Sequence, residues 1–167
     1  MTFDLDIGKF NRDFSNTLVT ATIISDDPVG LEGLINRMPT NIDIRTIKAD
    51  FSRSFFKNWK METGFKSSSV RSDNDMTLSS GLVGELVLDT ELSNHFQYSE
   101  QVNAMYTSIS GKPTVSTEMQ VGLRVEHTHS IGHSLTMDQK VALNYLNFFP
   151  SFFATKKLSE KQSFTLS

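Results

Sequence analysis

Residues 115–126 read VSTEMQVGLRVE. Val115, Thr117, Met119, Val121, Leu123 and Val125 take the odd positions, and Ser116, Glu118, Gln120, Gly122, Arg124 and Glu126 take the even ones. Successive side chains of a strand point to opposite faces. As a strand, this stretch therefore has one uncharged face and one ionic face. A tilted membrane strand needs only about 9–11 residues, so the stretch is long enough to cross a bilayer.

The same period recurs. In 59–70, WKMETGFKSSSV, Trp59, Met61, Thr63 and Phe65 share a face opposite Lys60, Glu62, Gly64 and Lys66. In 42–55, Ile47, Ala49, Phe51 and Phe55 oppose Lys48, Asp50 and Ser52, and the alternation slips near Asp43 and Arg45. In 98–110, Val102, Ala104 and Tyr106 oppose Gln101, Asn103 and Thr107. In 146–158, Phe148, Phe152, Ala154 and Leu158 oppose Phe149, Ser151, Thr155 and Lys157, and Pro150 is expected near a strand end or bulge. Short strands at 2–9 and 162–167 complete the set, the last still alternating where the sequence stops.

Composition narrows the class. The chain has 167 residues, a net charge of -3, 38% hydrophobic residues and 13 Phe. The charge gives no basic patch for nucleic acid. The absence of Cys removes disulfides and thiolate chemistry. No run approaches the ~18 apolar residues of a membrane helix. Residues 1–15, with Asp4, Asp6 and Asp13, do not form a signal peptide.

The connections set the architecture. FKN (56–58), GKP (111–113) and SEK (159–161) are short turn signals. Between them lie long polar segments near 10–40, 71–97 and 128–145. In a meander, strict alternation puts every tight turn at one end of the sheet and every long loop at the other, as in outer-membrane barrels. Phe55, Phe56 and Trp59 at the first turn, Tyr106 near the second and Phe164 near the third are placed like an interfacial aromatic girdle. A soluble sandwich needs a second layer over its apolar face, and only 29–38 (VGLEGLINRM) offers a turn or two of helix. The expected fold is therefore all-β: an antiparallel up-and-down meander of about six or seven strands, a segment of a transmembrane barrel. The expected lipid-facing residues are Trp59, Met61, Phe65, Met119, Val121 and Leu123. The expected lumen-facing ones are Lys60, Glu62, Lys66, Glu118, Gln120, Arg124 and Glu126, pairing across neighbouring strands. The alternative is a soluble β-sandwich binding module, with carbohydrate as its ligand class.

Three stretches resemble a known family. NIDIRTIKADFSRSFFKNWKMETGFKSSSVRSDND (41–75) is similar to a strand–turn–strand block of TonB-dependent outer-membrane receptors, in their outer membrane protein β-barrel branch. The resemblance resumes in 93–134, through GLRVEHT, and in 144–167, through FPSFF and the turn after it. It implies a wall segment of a roughly 22-stranded, plugged barrel that imports a siderophore, glycan or other bulky nutrient. Its implied partners are outer-membrane lipid, a plug domain and the TonB complex, and its implied place is the cell outer membrane. Neither a plug nor a TonB box is recognisable in these residues, so the expectation is an internal piece of a receptor or a truncated gene product.

Candidate chemistry is sparse. His127, His129 and His133 form H-x-H-x-x-x-H, in which His127 and His129 share a strand face as paired metal ligands do. Placed at the start of a loop, with Gly132 as its turn residue, they read as solvated histidines, and no metal or cofactor is expected. Asp73, Asn74 and Asp75 open like a calcium loop but lack its Gly and closing Glu, so they read as a loop tip. GLEGL (30–34) and GLVGEL (81–86) miss the phosphate-binding spacings and read as loop punctuation. No nucleophile or oxyanion loop accompanies the carboxylates, so no enzyme is expected.

Overall fold

The computed structural model describes residues 1–24, 27–56 and 58–167, without the side chains of 23, 24 and 27–29. Lys57, inside the expected FKN turn, and residues 25–26, inside the expected loop 10–40, lie outside the described residues. Among the described residues there are nine strands in one antiparallel sheet and no helix: β1 (Thr2–Arg12), β2 (Ser15–Ile24), β3 (Asp27–Arg37), β4 (Thr40–Phe55), β5 (Trp59–Leu82), β6 (Val87–Thr114), β7 (Thr117–Ser134), β8 (Gln139–Ser159) and β9 (Gln162–Leu166).

The nine strands lie in seven lines. The register of β1 on β4 continues without slip into that of β2 on β3, from Thr2↔Asp50 to Thr22↔Gly30. Met38 N–H donates to the Phe14 carbonyl at 2.8 Å across the short interruption. Likewise β4 and β3 hold one register on β5, from Phe55↔Trp59 to Glu32↔Leu82, with Asp75 N–H on the Pro39 carbonyl at 3.2 Å between them. β1–β2 is thus one long line and β3–β4 the next. The order is an up-and-down meander.

Among the described residues nothing covers this sheet. Its accessible surface is 12445 Å², against about 8,300 Å² for a compact protein of this mass. Ala104 is the one buried hydrophobic residue among those described, while Val121, Leu123 and Phe65 are 54%, 43% and 40% exposed. A sandwich would have sealed those three beneath a second layer.

The strands differ from expectation mainly in height. β6 has 28 residues, about 90 Å at the usual rise, two to three times a membrane crossing. The stretches expected as long loops, 10–40, 71–97 and 128–145, are mostly tall hairpins, closed at 83–86 and 135–138. Their upper halves mix polar and apolar residues without strict alternation, as at Leu18–Val19 and Val87–Leu88, so the period-two signal fades while backbone pairing continues. Of residues 29–38, all but Met38 lie in β3 rather than a helix, GLEGL with them. Asp73, Asn74 and Asp75 lie in β5 rather than at a loop tip. The second short turn is Val115–Ser116, not GKP: Gly111 still pairs with Trp59 of β5, Lys112 N–H donates to the Asn58 carbonyl just before it, and a register shift after Gly111 takes up Pro113. Pro150 sits mid-strand opposite Leu123. The β7–β8 register runs past it without a shift, so it lies at neither a strand end nor a bulge.

Candidate functional site

Residues directly opposite each other in register share a face, so the pairing assigns sides row by row. One row runs Ala49, Phe65, Met105, Val125, Phe148 and the next Arg53, Met61, Ile109, Val121, Phe152. Below them come Trp59, Gly111, Met119 and Ala154, and Leu123 faces Thr107 and Pro150. The six residues expected on the apolar side thus lie on one face, in a band that continues onto Leu5 and Ile47. Arg53, near the turn, is its exception.

The opposite face carries Lys60, Glu62, Lys66, Glu118, Gln120, Arg124 and Glu126. Its rows include Asp50, Gly64, Tyr106, Arg124 and, below, Ser52, Glu62, Ser108, Gly122, Ser151. From Val121 to Ser130 of β7, Arg124 and Glu126 are half-buried and Thr128 and Ser130 buried, while Val121, Leu123, His127 and His129 are exposed; nearer the turn the order reverses, with Glu118 and Gln120 exposed and Thr117 and Met119 half-buried.

The ion pairs form differently from the expected cross-strand ladder. Lys48 and Asp50 (2.6 Å), Lys60 and Glu62 (2.6 Å), and Arg124 and Glu126 each join residues two apart on one strand. The link between strands is Tyr106. Its hydroxyl donates to Asp50, two strands away, and the Arg124 guanidinium stacks 5.5 Å from its ring centroid. The ring passes over Gly64, where a Cβ would stand 2.5 Å from the Tyr106 Oη. Trp59 lies over Gly111 in the same way on the apolar face. Tyr106, expected in an interfacial girdle, belongs to the ionic face. The Lys48–Asp50–Tyr106 cluster was not singled out from sequence; a glycine at 64 within an otherwise regular strand is its one local signal.

The histidines lie in strands. His127 and His129 share a face of β7, and His127 Nε2 is 2.6 Å from the Asn144 Oδ1. Gly132 is a strand residue opposite Tyr98, not a turn. Among the described residues no cluster of three or more His, Asp or Glu side chains is arranged to hold a metal ion. Asp73 accepts from the Gln97 amide at 2.8 Å and lies 2.8 Å from the His95 Nε2. These partners, Gln97 foremost, hold its carboxyl below the usual range against a smaller opposing effect of burial.

No described helix is long and apolar enough to cross a membrane, which says nothing of a barrel that crosses with strands. Among curated proteins none matches the chain. Among solved structures it is similar to the ferric citrate transporter FecA in its unliganded form, at TM-score 0.60 and 13% identity over 94% of this chain and 27% of that one. It is also similar to the ferric yersiniabactin uptake receptor FyuA from Yersinia pestis, at TM-score 0.57 and 16% identity over 95% of this chain and 23% of that one. The chain thus spans about a quarter of their length, and at these identities the likeness is one of fold. The model of the outer membrane protein beta-barrel family matches residues 1–167. A single antiparallel layer with one apolar and one ionic face is what such a barrel wall requires, and the chain belongs to the outer membrane protein beta-barrel family, whose place is the cell outer membrane.

Proposed function

We propose that this chain forms part of the wall of a TonB-dependent receptor that imports a bulky nutrient across the outer membrane. The observation that carries this is the row-by-row division of faces. Trp59, Met61, Phe65, Met119, Val121 and Leu123 meet lipid. Lys60, Glu62, Lys66, Glu118, Gln120, Arg124 and Glu126 meet a hydrated interior.

Support comes from two sides. The strands rise far above the length a bilayer needs, as ligand-catching hairpins on a barrel would. The similar solved structures are, by name, a ferric citrate transporter and a ferric yersiniabactin uptake receptor. Seven lines of strand are too few to enclose a plug. The complete receptor therefore has further strands beside β1 and β9, a plug within and the TonB complex as its energy source. Its role is passage rather than catalysis.

The test begins with the membrane. The protein is expected in the urea-washed outer-membrane fraction and to need detergent for solution; a monodisperse soluble monomer would refute the assignment. In the complete receptor, accumulation of labelled ferric chelates is expected to stop when the inner-membrane proton gradient is collapsed. Accumulation that persists unchanged would exclude energised import.

A further inference from the structure

We propose that His127 and His129 of β7 chelate one divalent copper ion. In a loop the two rings would turn independently of each other. The structure instead sets them two residues apart on one face of a regular strand, the face that carries Val121 and Leu123, and both are exposed. Their backbones are about 7 Å apart along the strand, a gap that two imidazoles leaning together close onto a single ion.

Asn144 prepares His127 for this role. Register puts Asn144 directly opposite His129, and its Oδ1 lies 2.6 Å from the His127 Nε2. An amide oxygen only accepts, so this bond requires the ring hydrogen on Nε2 and leaves the lone pair on Nδ1. Metal-bound imidazoles are held in the same way, the second ring N–H resting on a carbonyl or carboxylate that fixes tautomer and orientation.

The surroundings select the metal. Asn103 and Leu146 lie opposite His127, and Gln101 lies opposite His129. None of these carries a positive charge that would repel a cation. None is a carboxylate, so the site offers little to Ca²⁺ or Mg²⁺, which take oxygen ligands. Imidazole nitrogen suits copper, nickel and zinc, and copper binds most tightly of the three. A structural zinc ion takes four protein ligands in a tetrahedron, whereas Cu²⁺ accepts a tetragonal set of nitrogen and oxygen. Two imidazoles with water completing the set therefore fit copper best.

The test titrates Cu²⁺, Zn²⁺ and Ca²⁺ separately into the full chain in detergent micelles by calorimetry. Electron paramagnetic resonance then reads the ligands of the copper-loaded protein. One equivalent of Cu²⁺ is expected to bind through two imidazole nitrogens, at least tenfold more tightly than Zn²⁺ and with no measurable binding of Ca²⁺. His127→Gln and His129→Gln are each expected to lose at least tenfold in copper affinity and one nitrogen from the spectrum. Asn144→Ala is expected to lose about tenfold while keeping both nitrogens, which separates a positioning role from a ligand's. His95→Gln is expected to match the wild type. All three side chains of the site are on the sheet surface, so circular dichroism is expected to show the same β-sheet content in every variant. Unchanged copper affinity in either His127→Gln or His129→Gln would overturn the proposal. So would Ca²⁺ binding as tightly as Cu²⁺, or a wild-type spectrum with fewer than two nitrogens.

Discussion

At Gly64 a single missing methyl group lets Tyr106 reach Asp50 across an intervening strand. A Cβ there would stand 2.5 Å from Tyr106 and 2.6 Å from the Asp50 Oδ1. Gly64→Ala is expected to displace the ring, with its stack on Arg124, and to cost about 1–3 kcal/mol of overpacking. In a Tyr106→Ala background the same change is expected to cost clearly less, a coupling that a double-mutant cycle by denaturant titration reads directly. On the apolar face, Val121→Arg is expected to cost about 2–4 kcal/mol if that position meets the bilayer midplane, and Gln120→Ala on the other face much less. Above the membrane, Asp73 sets a pH dependence. Its folded carboxyl is held below the ordinary value, by the Gln97 amide first. Its contribution is therefore full above the unfolded pKa of about 3.9 and disappears as pH falls through the lower folded value. Amide protection near Asp73 and His95, corrected for the intrinsic pH dependence of exchange, is expected to fall on acidification, and Asp73→Asn to remove that dependence. The alternation of ions and apolar side chains was legible residue by residue. The Tyr106 bridge was not, because it needs Asp50, Gly64 and Tyr106 in one row, and register is not written in any one segment.

The hairpins show where sequence reading stops at the level of elements. Trp59–Phe65 and Met119–Val125 announce themselves because one face is apolar and the other is not. Their upper continuations, such as Arg71–Asp75 and Thr128–Ser134, read as loop because they show no alternation of polar and apolar faces. The backbone ladder carries them instead, including a bulge in β6. Asp89 Oδ1 accepts from Glu91 N–H and Leu92 N–H at 3.0 Å each, and the Ser93 hydroxyl accepts from Leu78 N–H at 3.0 Å. Ser93 is only 8% exposed. Ser93→Ala therefore leaves a Leu78 donor unpaired, at about 1–3 kcal/mol. Hydrogen exchange at Leu78 and its neighbours is expected to rise, while exchange near Val121 stays as it was.

Across the whole molecule, stability cannot come from a core, because the described residues bury almost no hydrophobic side chain. On the proposed reading the surroundings supply the second layer: hydrocarbon over the band from Ile47 to Phe152, and water over Lys48, Asp50, Arg124 and Glu126. The most direct test uses the absence of cysteine. Single cysteines placed in turn at residues 117–126 of the full chain are spin-labelled in lipid bilayers. Their accessibility to oxygen, which dissolves in hydrocarbon, is then compared with that to a water-soluble nickel chelate. Odd positions from Met119 to Val125 are predicted to favour oxygen and even positions from Glu118 to Glu126 the nickel chelate, with a period of two. The absence of that period, or its inversion, would contradict the division of faces on which the wall depends.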